Sequence, residues 1–179
     1  MTTKIEKTER VWYSLALARI ALGFMLFWAF IDKLFGLGFA TCRDSETNNV
    51  ITHCSKAWIS GGSPTDDFLK FAAKGPLESI FNSMVGNQFV AGLFMSGLLL
   101  IGFALILGTG IKIAVASGSM LFLMMWSSML PPENNPMIDE HIIYVLALIA
   151  IGFGNDKQKL GLGSMWKNTN LVKRYPILQ

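Results

Sequence analysis

Charged side chains are scarce in this sequence: Asp, Glu, Lys and Arg make up 15% of 179 residues, and the formal net charge is only +3. A soluble domain usually carries more charge. The positive excess is too small for a nucleic-acid-binding protein, and the basic residues form no recognition patch. Histidine occurs twice, at His53 and His141, with no second ligand at helical spacing, so no zinc site, haem ligand pair or other metal centre is expected. No flavin motif is present. Cysteine also occurs twice, at Cys42 and Cys54. Their spacing is not C-x-x-C, which argues against a thioredoxin-like dithiol.

What the sequence has instead is apolar length. With 52% hydrophobic residues, residues 1–179 read as one integral membrane domain. The run 12–39, WYSLALARIALGFMLFWAFIDKLFGLGF, is nearly all apolar, and a helix of that length reaches roughly 40 Å, enough to cross a bilayer with tilt. A secretory signal peptide also places cations before an apolar run. This stretch is too long for one, carries charges inside it and lacks a small-x-small cleavage site. Hydropathy adds three spans at about 89–108, 111–130 and 138–153. The expected fold is therefore all-α, a four-helix transmembrane bundle.

Four crossings put both termini on one side. Lys4, Lys7 and Arg10 precede the first span, Lys112 sits in the Gly108-Thr109-Gly110 turn, and Lys157, Lys159, Lys167, Lys173 and Arg174 follow the last. The opposite side receives the connection 40–88, in which acids outnumber bases, and the loop 131–140, which has acids and no Lys or Arg. The positive-inside rule then gives a multi-pass protein of the plasma (inner) membrane with both termini cytoplasmic.

Cys42 and Cys54 fall in the exported connection, where a structural disulfide is expected, contributing roughly 3 kcal/mol by constraining the unfolded chain. Further on, Ser63-Pro64-Thr65-Asp66 is a helix start, and Leu77, Ile80, Phe81, Met84 and Val85 repeat at helical spacing. Two short amphipathic helices are expected to cap the outer end, static rather than lid-like. In the second and third spans, Gly92 with Ser96 and Ala114 with Gly118 have the small-xxx-small spacing of closely packed helices. Met124, Met125 and Trp126 read as core and interfacial belt.

Ionisable groups inside apolar spans point to chemistry, because a cation in hydrocarbon costs at least ~2.5 kcal/mol. On a helical wheel Gly23, Leu26, Phe30 and Lys33 fall within about 40° of Arg19, while Asp32 points away. Arg19 has backbone carbonyls, Ser117, Ser119 or a lipid phosphate as expected partners. It reads equally as a structural clasp or as a binding site for a quinone or lipid headgroup. The densest polar cluster, NNPMIDEHIIY at 134–144, opens the last span. Asp139 and Glu140 suit the positive end of the helix dipole, and His141 and Tyr144 share one face with Val145, Leu148 and Gly152. Lys33, Asp139, Glu140, His141 and Tyr144, with Trp126 nearby, are expected to converge at the extracytoplasmic interface. Such a set binds an anion, moves protons or hydrogen-bonds a quinone carbonyl.

On these residues the chain resembles the DoxX/DoxD family of small four-helix membrane proteins. The resemblance is carried by ARIALGFMLFWAFIDKLFG in the first span, AWISGGSPTDDFL in the outer segment and PPENNPMIDEHIIYVLAL before the fourth, and covers most of 12–163. It implies a link to the membrane subunit of thiosulfate:quinone oxidoreductase. The residues it carries over are Arg19, Gly23, Lys33, Asp139, His141 and Tyr144. The partner region that accompanies DoxD in that enzyme is absent here, and many family members have no demonstrated catalysis. The resulting expectation is quinone-linked oxidation of a small sulfur oxyanion. Asp139, His141 and Tyr144 serve the quinone and its protons; Lys33, Arg19, Trp126 and Glu140 bind substrate. Expected partners are membrane lipid, a quinone, a small anion, and a second copy or a partner redox subunit. The alternative is a non-catalytic scaffold or assembly factor for such a partner.

Overall fold

Every proline lies outside the four apolar runs, so their backbones are free to satisfy their own hydrogen bonds, as hydrocarbon surroundings demand. The computed structural model describes residues 2–44 and 46–179 and is helical, with no β-strand among the described residues. Its helices are α1 (Thr2–Phe35), α2 (Glu78–Asn82), α3 (Gln88–Leu107), α4 (Ile111–Ser128), α5 (Glu140–Phe153), α6 (Gly163–Lys167) and α7 (Asn170–Arg174). Three stretches, Glu9–Phe35 of α1, all of α3 and all of α4, are long and apolar enough to cross a membrane. α5 is apolar but only 14 residues long. The side chains of Lys4 and Lys7 lie outside the described residues.

α1 packs against α3 and α5, and α4 against the same two. Leu26, Met95, Leu105, Phe122 and Leu148 are buried between them. The outward faces are equally apolar: Phe24, Leu100, Met120 and Leu146 are 56%, 66%, 66% and 58% exposed. A water-soluble helical protein reverses that polarity, whereas a membrane protein shows greasy side chains to lipid.

α1 and α3 approach backbone to backbone at Gly23 and Gly102. A Cβ on Gly102 would lie 2.8 Å from the Phe27 amide nitrogen and 3.0 Å from the Gly23 carbonyl oxygen. Of the small-residue pairs in the sequence, Ala114 is buried and Gly118 faces Leu148 and Ile101 at close range, as expected. Gly92 and Ser96 do not behave this way: Gly92 meets nothing within 4 Å, and Ser96 is exposed. The spacing alone does not say which face of a helix meets its neighbour.

At one end, here the cap end, α1 stops at Phe35 rather than at 39. Asp32 turns the chain there, its carboxylate accepting the Phe39 and Ala40 amides at 3.0 and 2.8 Å. The Cys42–Cys54 disulfide forms, with its Cα atoms 5.7 Å apart. Beside it, hydrogen bonds from Thr47 and Glu46 hold the Asp44 carboxyl below the usual carboxylate range. The helix expected after Ser63 is one π-helical turn, Phe68–Ala72, and the next is α2. Leu69, Ala73 and Phe81 form a small second core with Val90 at the start of α3. The cap is also tied to the end of α4, where the Lys74 amide donates to the Ser128 carbonyl at 2.8 Å.

At the opposite, tail end, α6 and α7 return the C-terminus to the start of α4. The Lys112 amide donates to the Gln179 carbonyl at 2.8 Å, and Val172 is fully buried. Gly102→Ala forces two backbones apart and is expected to cost about 2 kcal/mol, in the range of core overpacking. Gly92→Ala is expected to leave the melting temperature in detergent unchanged or slightly raised. Equal effects of the two substitutions on thermal unfolding would contradict the α1–α3 contact.

Candidate functional site

The cap end of α5 is built on Asp139. As N-cap it accepts the His141 amide at 3.0 Å and the Ile142 amide at 3.4 Å through Oδ1, supplying partners for two orphan donors of the helix start. Its other oxygen lies 2.8 Å from His141 Nδ1, and the two side chains are only 11% and 9% exposed. Asp139 thus fixes the imidazole through Nδ1, and the other ring nitrogen, Nε2, has no hydrogen-bond partner among the described residues. Tyr144 is one turn on, its ring 6.3 Å from the imidazole and 5.1 Å from Phe122. The group is an oriented imidazole base with a phenol beside it. Trp126 closes the adjacent loop by donating to the Met137 carbonyl at 2.8 Å, and Glu140 is exposed to solvent.

Lys33 does not join them. Its side chain lines a chamber of about 370 Å³ under the cap, with Phe68, Leu69 and Phe81 as roof and residues of α3 and α4 as walls. None of Trp126, Asp139, Glu140, His141 or Tyr144 lines that chamber. Lys33 is the one ionisable residue on its walls, and its ammonium has no hydrogen-bond or ion-pair partner among the described residues. The neighbouring Asp32 carboxylate acts on it only through space, its two oxygens taken up by the amides of the following loop. The structure thus gives two separate polar features where the sequence suggested one.

Arg19 belongs to neither. It is 2% exposed at the tail end, where Nη1 donates to the Leu105 carbonyl at 2.7 Å, and Nη2 to the carbonyls of Lys159, at 3.2 Å, and of Leu160. Leu105 is in the last turn of α3, where carbonyls lack intrahelical partners and the helix dipole favours a cation. The helix ends on Gly108, which is left-handed at φ +74°; a Cβ there would sit 2.3 Å from Nη1. The cavity beside Arg19, bounded also by Asn155 and Gln158, is about 10 Å³. That is the size of one water molecule and far below that of a quinone ring or headgroup. Of the expected partners, the backbone carbonyls are the ones present; Ser117 instead donates to Ile113. Arg19 is a clasp joining α1, α3 and the segment after α5.

Sequence reasoning missed Asp32 as a structural carboxylate. The signal was there in Gly36 and Gly38 just beyond it, where a helix end needs its amides held. It also missed the chamber, because a void between helices leaves no trace in a one-dimensional pattern. Among the described residues no three His, Cys, Asp or Glu side chains converge as metal ligands.

Arg19→Leu strips donors from three buried carbonyls and is expected to cost about 3 kcal/mol or more, at 1–3 kcal/mol per unsatisfied group. Arg19→Lys should recover part of this. Unchanged thermal unfolding of Arg19→Leu would show that the guanidinium clasps nothing. No family model, curated protein or solved structure matches the chain.

Proposed function

We propose that the protein is a four-span bundle of the plasma membrane with both termini cytoplasmic. Its cap end serves quinone-linked oxidation of a small sulfur oxyanion such as thiosulfate. The orientation is supported by Lys112, Lys157, Lys159 and Lys167, which sit at the tail end. Lysine and arginine collect on the cytoplasmic side of membrane spans. The fourth crossing is α5, short by itself and continued by the polar turns on either side.

The observation that carries the catalytic reading is the Asp139–His141 pair with its unpartnered Nε2. Joining two thiosulfates through a sulfur–sulfur bond releases two electrons and no proton, whereas reducing a quinone consumes two electrons and two protons. The protons must come from the aqueous side through a protein group. A carboxylate-oriented imidazole at the interface supplies that path, and Tyr144 supplies a donor for the quinone oxygen. The sulfur-oxyanion half of the reading rests on the DoxD resemblance alone.

A scaffold role is the second reading, favoured by the apolar residues the cap leaves exposed: Ile59, Phe71 and Ile80 are 58%, 75% and 52% exposed. A purified partner redox subunit bound there would support it. To decide, the protein in proteoliposomes is given thiosulfate and decylubiquinone. His141→Ala is expected to lower quinone reduction about 100-fold, the smaller end of general acid–base effects, and Asp139→Asn by a lesser factor. Activity untouched by both substitutions, or absent from the wild type, would overturn the enzymatic reading.

A further inference from the structure

The chamber under the cap is not used by the chemistry proposed above, and its composition specifies an occupant. Its volume, about 370 Å³, lies in the range of small-molecule sites, which are mostly apolar with a few placed polar groups. Apart from the Thr65 and Ser117 hydroxyls, Lys33 is its only polar side chain. Ser117 is already committed, donating to the Ile113 carbonyl at 2.7 Å, and Thr65 lies 3.4 Å from Ser63. A hydrocarbon wall with one ammonium that no protein oxygen hydrogen-bonds calls for a ligand that is hydrocarbon along its length and carries one negative charge at its end.

Two further observations narrow the class. The cap roofs the chamber with the apolar side chains of Phe68, Leu69 and Phe81 and offers no cation there for a polar headgroup. At its side the walls include Leu93 and Met120, which are 63% and 66% exposed on the apolar outer surface of α3 and α4. Access is therefore lateral, from the lipid phase, and the volume suits one chain rather than two. Small sulfur oxyanions do not fit this description, because they need several donors and offer nothing to an apolar wall.

We infer that the chamber binds a single-chain anionic amphiphile, a long-chain fatty carboxylate taken from the bilayer, with the Lys33 ammonium as its counter-ion. The inference is independent of His141 and of any quinone chemistry. A fatty carboxylate held there would also brace the cap against α3 and α4 from below.

The test compares palmitate with hexadecanol, which has the same chain and no charge, by native mass spectrometry and calorimetry on the protein in detergent micelles. Wild type is expected to bind palmitate at least about tenfold more tightly than the alcohol. Lys33→Gln is expected to abolish that preference while keeping alcohol binding; Lys33→Arg should retain it. Gly97→Leu, which puts a side chain into the chamber from α3, is expected to weaken both ligands. Equal binding of acid and alcohol by wild type needs no variant to interpret and would overturn the inference. So would a preference that survives Lys33→Gln, or failure of either ligand to bind. Displacement of palmitate by decylubiquinone at stoichiometric amounts would overturn it as well and assign the chamber to the quinone.

Discussion

A charge inside an apolar helical body has to find a partner, and most of this structure follows from how each one does. Arg19 is the clearest case. Its guanidinium serves three backbone carbonyls from two parts of the chain, and in doing so it ties α1 to the last turn of α3 and to the segment after α5. The close contact of Gly23 with Gly102 lies one turn further along α1, so the clasp and the backbone approach belong to the same seam. With no water to drive apolar faces together, helices in lipid associate through such packing and hydrogen bonding.

The cap end applies the same rule with carboxylates. Asp32 terminates α1 by holding two amides, and Asp139 starts α5 by holding two more and the His141 ring. Both acids sit where a helix leaves donors or a turn unsupported, so each has a structural role. Asp139 has a chemical consequence as well, since orienting the imidazole leaves Nε2 available. The disulfide and the second small core of Leu69, Ala73 and Phe81 then hold the cap together above the bundle. Lys33 is the exception to the rule, a cation beneath that cap with no hydrogen-bond or ion-pair partner among the described residues.

Much of the fold was legible in the sequence. Apolar run length located α3, α4 and α5 to within two residues at each end, and found α1 but not its start, which lies at Thr2 rather than at 12 because the polar N-terminal residues continue the helix. The placing of Asp139 at the start of α5, the disulfide and the burial of Arg19 followed from local chemistry. Where local chemistry ended, so did the reading. Gly92 and Ser96 have the spacing of a packed stripe but lie on the wrong face, whereas the seam runs through Gly23 and Gly102. Asp32 points away from Arg19, as the wheel requires, yet is buried by a loop that folds back over it. Lys33 and His141 were expected to meet, and equal depth does not place two side chains in one cavity: the direction of each helix face decides, and only the packed structure supplies it.

The division of charges into those the protein satisfies and the one it leaves to a ligand is tested most directly by a density map of the protein in a lipid bilayer. Non-protein density is expected in the chamber, elongated along α3 and α4, with its polar end at Lys33 Nζ, while the Arg19 guanidinium keeps its carbonyls and no added headgroup. A protein carboxylate swung onto Lys33 with the chamber collapsed, or a headgroup displacing the carbonyls from Arg19, would contradict that division.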